Sequence, residues 1–184
     1  GVYGPSQGEV KRSIDTADIY SLSQETHVFM GTVRENLTLA QPAATDEEIT
    51  QALLATGAYS FVMTLPEGLD TEVGHGARRL EPSQAQHLAL ARLSLLDPPL
   101  VILDEATAEA DSADAEALDR ASAVITKKNA AFVIAHRLSQ AARSDRIVVM
   151  DAGRIIESGS HENLLEAEGR YAELWRAWTA GANP

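Results

Sequence analysis

Four apolar residues followed at once by two acids constrain the fold of this chain more than any other stretch. Residues 100–103 (LVIL) show no polar alternation, which indicates a strand buried on both faces of a parallel sheet. Ligands bind beyond the carboxyl ends of such strands, so Asp104 and Glu105 are expected where a ligand would lie. Neighbouring strand residues point opposite ways, so one acid can hold a metal while the other faces a water. A strand that simply ends in a polar loop is the alternative interpretation.

Strands alternate with helices along the rest of the chain, which predicts an α/β fold with a mostly parallel sheet flanked by helices. Residues 17–22 are a predicted strand, and the apolar residues 130–135 are a second strand that is expected to be buried. Residues 146–150 and 154–157 flank a short turn, so they are predicted to form a hairpin.

Several helical segments follow one another with no strand between them, and they predict an inserted helical subdomain over residues 32–96. Two of these helices should begin at capping boxes, one of Thr32 with Glu35 and one of Thr45 with Glu48. We expect residues 1–184 to form a single domain whose remaining part is the sheet core.

Composition and charge exclude several classes of protein. The 184 residues are about one domain's worth, and the 45% that are hydrophobic suffice for a real core. The sequence contains no run of eighteen apolar residues, so no membrane span is predicted, and no signal segment is expected at the start. The absence of cysteine excludes a disulfide scaffold and thiolate metal sites. The net charge of −12 argues against nucleic acid as a partner, although a local nest of N–H groups can still bind a nucleotide.

Polar residues end three of the apolar strands: Gln24, the pair Asp104–Glu105, and His136. If the strands are parallel neighbours, these residues line one edge of the sheet and form a set suited to phosphoryl chemistry. Taken singly, the histidine could be a surface or capping residue, and the glutamine could belong to an ordinary loop. Only the ordered combination is informative.

This combination, with its flanking sequence, resembles the nucleotide-binding domain of ABC transporters of the exporter type. Residues 21–37 (SLSQETHVFMGTVRENL) are similar to the Q-loop and the stretch after it, and residues 100–107 (LVILDEAT) to the Walker B strand. Residues 133–165 resemble the H-loop and the sequence that follows it. The resemblance covers nearly the whole chain, about residues 8–178, and it implies a P-loop NTPase-like fold.

The resemblance also implies site roles, with ATP and Mg²⁺ as ligands. Asp104 would help coordinate Mg²⁺, while Glu105 would act as the general base or polarise water. His136 would contact the γ-phosphate, and Gln24 would reach the metal and the attacking water and couple the site to the transmembrane helices. Asp111 would act across a dimer interface.

Three departures from the family pattern change what this chain is expected to do. No G-x-x-x-x-G-K-[ST] phosphate-binding loop (Walker A) is present, so we expect the chain to be incomplete at its N-terminus and inactive in isolation. His75 replaces a glutamate of the loop that, in the family, touches the transmembrane coupling helices. The third departure is in the signature sequence, LSGGQ in the family, which reads LEPSQ over residues 80–84.

The altered signature should bind a phosphate of the opposite subunit's ATP poorly. Glu81 puts an anion there, Pro82 has no N–H to donate, and Ser83 adds a side chain where glycine allows close approach. Gln84 is unchanged from the family pattern. A tolerated variant of the signature is the alternative.

We therefore expect half of an ABC exporter that hydrolyses ATP at the cytoplasmic face of the plasma membrane. It would work beneath transmembrane domains as a dimer with a second, non-identical nucleotide-binding domain. A catalytically incomplete regulatory module of the same fold is one alternative. A soluble ABC ATPase acting on DNA or ribosomes is another, against which the exporter-like residues 27–37 and the acidic charge both count.

Overall fold

The computed structural model of the protein describes residues 7, 9–11, 13–23, 26–104, 112–135 and 137–181. The strands are β1 (Ile19–Leu22), β2 (Gly31–Thr32), β3 (Glu72–Val73), β4 (Leu100–Asp104), β5 (Ala130–Ile134), β6 (Ile147–Asp151) and β7 (Arg154–Gly159). The helices are α1 (Val33–Thr38), α2 (Asp46–Ala55), α3 (Tyr59–Met63), α4 (Pro82–Leu96), α5 (Ser112–Lys128), α6 (Leu138–Ala141), α7 (His161–Glu166) and α8 (Arg170–Gly181). The predicted α/β fold class is confirmed.

The chain divides into two compact units, Gly1–Phe132 and Val133–Pro184. The first unit contains β1 to β4 and α1 to α5, and the second contains the hairpin of β6 and β7 with α6, α7 and α8. Among the described residues, no helix is both long enough and apolar enough to cross a bilayer. The predicted single domain, with a helical subdomain over residues 32–96, stays a prediction.

The strand β4 is the centre of a three-stranded sheet, with the order β1-β4-β5. β1 and β4 run parallel, so that Ile19 lies opposite Leu100 and Leu22 lies opposite Leu103. Val101 and Leu103 are fully buried, while the residues between and beside them are only partly covered. The apolar run is therefore a sheet strand, as predicted, but its burial is complete on one face only.

The strand β5 is found where it was predicted, but its predicted burial is wrong. Its residues alternate between exposed and half-buried, and Phe132 and Ile134 keep 66% and 49% of their surface accessible. β5 stands at the end of the strand order, so within the described part of the chain it has a strand neighbour on one side only. Apolar, β-branched composition favours a strand, whereas its burial depends on what packs beside it.

Helices α1 to α4 enclose a common apolar core. Both predicted capping boxes begin their helices, with the Thr32 and Thr45 hydroxyls accepting backbone N–H groups of Glu35 and Glu48 at 3.0 and 3.3 Å. Gly57 follows α2 with φ of +72°, a conformation that costs glycine little. The core side chains come from these helices and the residues beside them: Val33, Leu37, Ile49, Leu53, Ala58, Val62, Leu65, Val73, Leu88 and Ala91.

The C-terminal end of α4 is tied to the end of α5. Asp97 adopts a left-handed conformation with φ of 49° and turns the chain toward β4. Its carboxylate pairs with Lys128 at 2.9 Å and accepts a hydrogen bond from Asn129 at 3.1 Å. The hydrogen bond from Lys128, assisted by that from Asn129, lowers the pKa of Asp97 below its ordinary value. These contacts fix the point at which the central strand begins.

The second unit is built on the predicted hairpin. β6 and β7 are antiparallel, with Asp151 opposite Arg154 at the turn. The Glu157 carboxylate of β7 accepts the backbone N–H groups of Arg170 and Tyr171, which open α8, so a strand side chain caps that helix. A small core of Ile147, Leu164 and Tyr171 joins the hairpin to α7 and α8.

Candidate functional site

The carboxyl ends of β1 and β4 lie side by side, because the strands are parallel and Leu22 pairs with Leu103. Asp104 is the last residue of β4 and is half-buried. In a parallel sheet this edge is the one on which ligands bind. Asp104 is therefore held by the backbone at the edge where the sequence predicts a phosphate or metal site.

The other residues predicted at this edge are Gln24, Glu105 and His136. All three lie outside the described residues, as does Asp111, which is predicted at a dimer interface. Their positions along the chain can still be related to the strands. Gln24 follows β1 by two residues, Glu105 directly follows β4, and His136 follows β5 by two residues. In the strand order of the sheet, β4 lies between β1 and β5. The contacts of the four side chains stay predictions.

Asp104 fits the role of one ligand of Mg²⁺. Magnesium sites in nucleotide-binding proteins use one or two carboxylates together with substrate phosphates and water. Among the described residues, no group of three or more His, Cys, Asp or Glu side chains could hold a metal ion. A single strand-end carboxylate is nevertheless the donor that such a phosphate-shared site requires.

The segment that resembles the family signature forms the beginning of α4. Pro82 is the first residue of the helix, and Glu81 precedes it as the N-cap. The backbone N–H of Glu81 donates to Gln84 Oε1 at 3.1 Å, and the Glu81 carbonyl accepts the Ala85 N–H at 2.9 Å. Glu81 is exposed and Ser83 is half-buried. The N-terminus of this helix thus already carries the Glu81 carboxylate, and the Gln84 side-chain oxygen is bound to the backbone of the same segment.

A short ribbon, which sequence patterns did not reveal, brings two distant loops together. β2 and β3 pair antiparallel, with Gly31 opposite Val73. Gly74, which follows β3, packs closely against the loop that precedes β2. A Cβ on Gly74 would lie 2.7 Å from the Phe29 carbonyl oxygen. Met30 and His75 are both exposed, and Met30 has 80% of its surface accessible. The ribbon therefore presents residues 29–30 and 74–75 on one surface, called the ribbon surface below.

Asn36 and Arg92 form a second feature that the sequence did not reveal. Asn36 is a buried polar residue of α1, and its side-chain amide both accepts from the Phe29 N–H and donates to the Phe29 carbonyl, each at 2.9 Å. From α4, Arg92 Nε donates to the Asn36 carbonyl at 2.7 Å, and its guanidinium lies 5.4 Å from the Phe29 ring centre. Burial lowers the pKa of the Arg92 guanidinium. The sole sequence signal was an arginine on an otherwise apolar stretch of helix.

Comparison with known proteins identifies the family. The family model for the ABC transporter matches residues 1–108, which is more than half of the chain. The chain belongs to the ABC transporter family. Two proteins of Staphylococcus aureus, from strains NCTC 8325 and bovine RF122, are each 40% identical to it over 154 residues, which is 84% of this chain and 27% of theirs. Their names assign them provisionally to multidrug export as ATP-binding/permease proteins.

A solved structure agrees with this assignment. The structure of a bacterial Atm1-family ABC exporter with ATP bound matches with a TM-score of 0.76 and 33% identity, covering 88% of this chain and 28% of that chain. The chain thus spans just over a quarter of the length of the ABC proteins it matches. The resemblance to ABC transporters and the parallel-sheet fold predicted from the sequence are both confirmed.

Proposed function

We propose that this chain is the ATP-binding and ATP-hydrolysing domain of an exporter-type ABC transporter half. The observation that carries the proposal is the position of Asp104, at the carboxyl end of a central strand in an ABC transporter domain. Gln24 and Glu105 follow the ends of the same two parallel strands in the sequence. The exporters with which the chain aligns support a role in transport.

In the proposed reaction each residue of the sheet edge has its own task. Asp104 holds Mg²⁺, which when bound would neutralise charge on the phosphates of ATP. Glu105 accepts a proton from the attacking water or polarises it, and His136 keeps the γ-phosphate and Glu105 in register. Gln24 orients the same water and couples the site to the transmembrane helices. Because the protein itself takes part in little covalent chemistry, the rate of ATP hydrolysis depends on how well these side chains are positioned.

The beginning of α4 supports an asymmetric dimer. A helix N-terminus attracts anions through its free N–H groups, but here Glu81 already places a negative charge beside them and Pro82 removes one donor. In a dimer whose sites each combine two subunits, residues 81–84 and Asp111 would then face a degenerate site. The hydrolysing site would combine Asp104, Glu105 and His136 with the intact signature of a non-identical partner domain.

The ribbon surface supports transmembrane domains as further partners. It carries an exposed Met30 and a Phe29 with 43% of its surface accessible, and exposed apolar side chains at a fixed backbone commonly mark protein contacts. We assign this surface to contact with an intracellular segment of the transporter, and the domain would then lie at the cytoplasmic face of the plasma membrane. Nucleic acid is not proposed as a partner, because the chain has a net charge of −12.

The test compares two changes in the full-length transporter reconstituted in lipid. We expect Glu105→Gln to abolish steady-state ATP turnover while Mg-ATP binding is retained. Changing Glu81→Ser, Pro82→Gly and Ser83→Gly together should alter turnover much less, because that segment faces the degenerate site. Equal effects of the two changes would contradict the asymmetric dimer, and an unaffected Glu105→Gln protein would contradict the proposed hydrolysing site.

A further inference from the structure

We propose that Asn36 and Arg92 are positioning residues that lock the loop of residues 26–30 onto helix α4. This inference rests on the proposed function, in which the ribbon surface meets the transmembrane partner and α4 begins with the signature-like segment. The three residues Phe29, Asn36 and Arg92 are called the latch. The latch makes the loop and α4 move together.

The Asn36 side chain has no spare hydrogen-bonding capacity. Nδ2 donates to the carbonyls of Phe29 at 2.9 Å and of Thr32 at 3.0 Å, which uses both of its protons. Oδ1 accepts the Phe29 N–H at 2.9 Å and an Arg92 Nη2 proton at 3.4 Å. Only 1% of the residue is accessible. An amide is therefore required at this position, because a carboxylate has no donors and an apolar side chain has neither donors nor acceptors.

Arg92 acts by holding other groups in place rather than by forming an ion pair. Within the part of the chain that the structure describes, no carboxylate forms an ion pair with it, and its partners are the Asn36 carbonyl, the Asn36 amide oxygen and the Phe29 ring. The Asn36 carbonyl lies in the last turn of α1, where helix carbonyls lack partners within the helix. An apolar residue would satisfy the packing of α4 at least as well as a half-buried cation. The arginine adds a planar fork that fixes the direction in which α1 and the loop face α4.

The latch connects two surfaces that the proposed function uses. Phe29 belongs to the ribbon surface, and its backbone is held on both its N–H and its carbonyl. Arg92 lies ten positions after Pro82 on the same helix, a distance of about 15 Å along a rigid rod. A partner segment that presses on Phe29 and Met30 would therefore displace the beginning of α4, rather than bend the loop alone.

The experiment uses the full-length transporter in lipid vesicles, with Mg-ATP as the probe. Arg92→Met should raise amide hydrogen exchange of residues 26–32 about tenfold, measured by mass spectrometry, because the Asn36 amide loses its support. Because residues 26–30 closely follow Gln24, which the proposed function places at the hydrolysing site, the change should also lower kcat for ATP about tenfold and leave KM for ATP within twofold. Arg92→Lys keeps the charge without the fork, so we expect it to restore part of both properties, and it is the second variant should Arg92→Met not fold.

His87 provides a matched control on the same helix. Its Nδ1 lies 2.6 Å from the Thr56 carbonyl oxygen, so His87→Leu also removes one contact of α4 to a backbone carbonyl, without touching the latch. If His87→Leu and Arg92→Met have the same melting temperature, we expect His87→Leu to keep the kcat of the unaltered protein. Its amide hydrogen exchange over residues 26–32 should also be that of the unaltered protein.

Two results would overturn the latch. One is a loss of kcat in His87→Leu as large as that in Arg92→Met, since stability alone would then explain both. The other is unchanged exchange of residues 26–32 in Arg92→Met. Absence of ATP turnover in the unaltered transporter would instead overturn the proposed function, and the exchange measurement would still decide whether the latch exists.

Discussion

The edge of the sheet and the beginning of α4 both present a carboxylate, but the two carboxylates should have opposite effects on a nucleotide. Asp104 ends a parallel strand, where the proposed site needs a negative charge to hold a cation. Glu81 precedes a helix N-terminus that the proposed dimer would turn toward a phosphate, and a negative charge there would repel that phosphate. The same functional group would thus support binding at one place and oppose it at the other. An acid in a site is informative only together with the charge of the group that it faces.

The largest effect that can break this comparison is expected at the sheet edge. Asp104→Asn keeps the shape of the side chain and removes the charge that would hold Mg²⁺. If this interaction is worth about 3–4 kcal/mol in the transition state, ATP turnover of the full-length transporter should fall about 10²- to 10³-fold. Glu81→Gln, which neutralises the other carboxylate in the same way, is the control and should change turnover less than about threefold. If Glu81→Gln lowered ATP turnover more than Asp104→Asn, the roles assigned to the sheet edge and to the beginning of α4 would be reversed.

A smaller effect distinguishes a functional from a structural role of Glu81. Thr45 caps α2 through its hydroxyl and receives the Glu48 carboxylate on its own N–H at 2.7 Å, so Thr45→Ala should lower the free energy of unfolding by about 1 kcal/mol. Glu81→Ser places a good N-cap residue at an exposed position, and we expect a change within about 0.5 kcal/mol. Urea unfolding measures both variants. A loss from Glu81→Ser that exceeds the loss from Thr45→Ala would show that Glu81 is needed for stability.

The smallest effect concerns the other end of α4, where Asp97 pairs with Lys128. Because this partner lowers the pKa of Asp97 in the folded protein, the pair stabilises the fold above the ordinary aspartate pKa of about 3.9, and the effect disappears as pH falls through the lowered pKa. The lysine and aspartate side chains are 57% and 48% accessible, so Lys128→Met should cost less than about 1 kcal/mol at pH 7.

Melting temperatures of Lys128→Met and the unaltered chain test this expectation across pH. Their difference should shrink steadily toward pH 2, and 0.5 M salt should reduce it at pH 7, because salt screens exposed pairs. A difference that stays constant with pH would assign the effect to packing of the lysine stem. The charge pair would then contribute nothing to the end of α4.

Sequence patterns predicted the helices and strands of this chain well where the cause lies within one turn or one strand. Thr32 and Thr45 begin their helices through residues three positions away, and Pro82 begins α4 as its fixed φ allows. The same patterns placed Asp104 at the end of a strand parallel to β1. The roles proposed for Gln24, Glu105, Asp111 and His136 rest on the family resemblance, so they depend on the kinetic tests above.

Contacts between distant segments were not predictable in the same way. Arg34 of α1 donates hydrogen bonds to the carboxylates of Asp70, at 3.1 Å, and of Asp46, and these bonds raise the pKa of Arg34. The pair of Asn36 and Arg92 spans 56 positions of the sequence. Many charged side chains could have met either arginine, and no local pattern selects one partner. Only the packing of α1 against α2, α4 and the segment that contains Asp70 brings these groups within hydrogen-bonding distance.

The sequence by itself thus determined the α/β order of elements and the apolar faces, because hydrophobic periodicity and capping residues act over a few positions. Its motifs also carried the resemblance to the family, which the comparisons confirm. The tertiary structure alone decided which surfaces are covered. It buried Asn36 by giving all its polar atoms partners, and it left the apolar Phe132 exposed at the end of the strand order. Burial is a property of neighbours, and neighbours are set by how the elements pack together rather than by the residue itself.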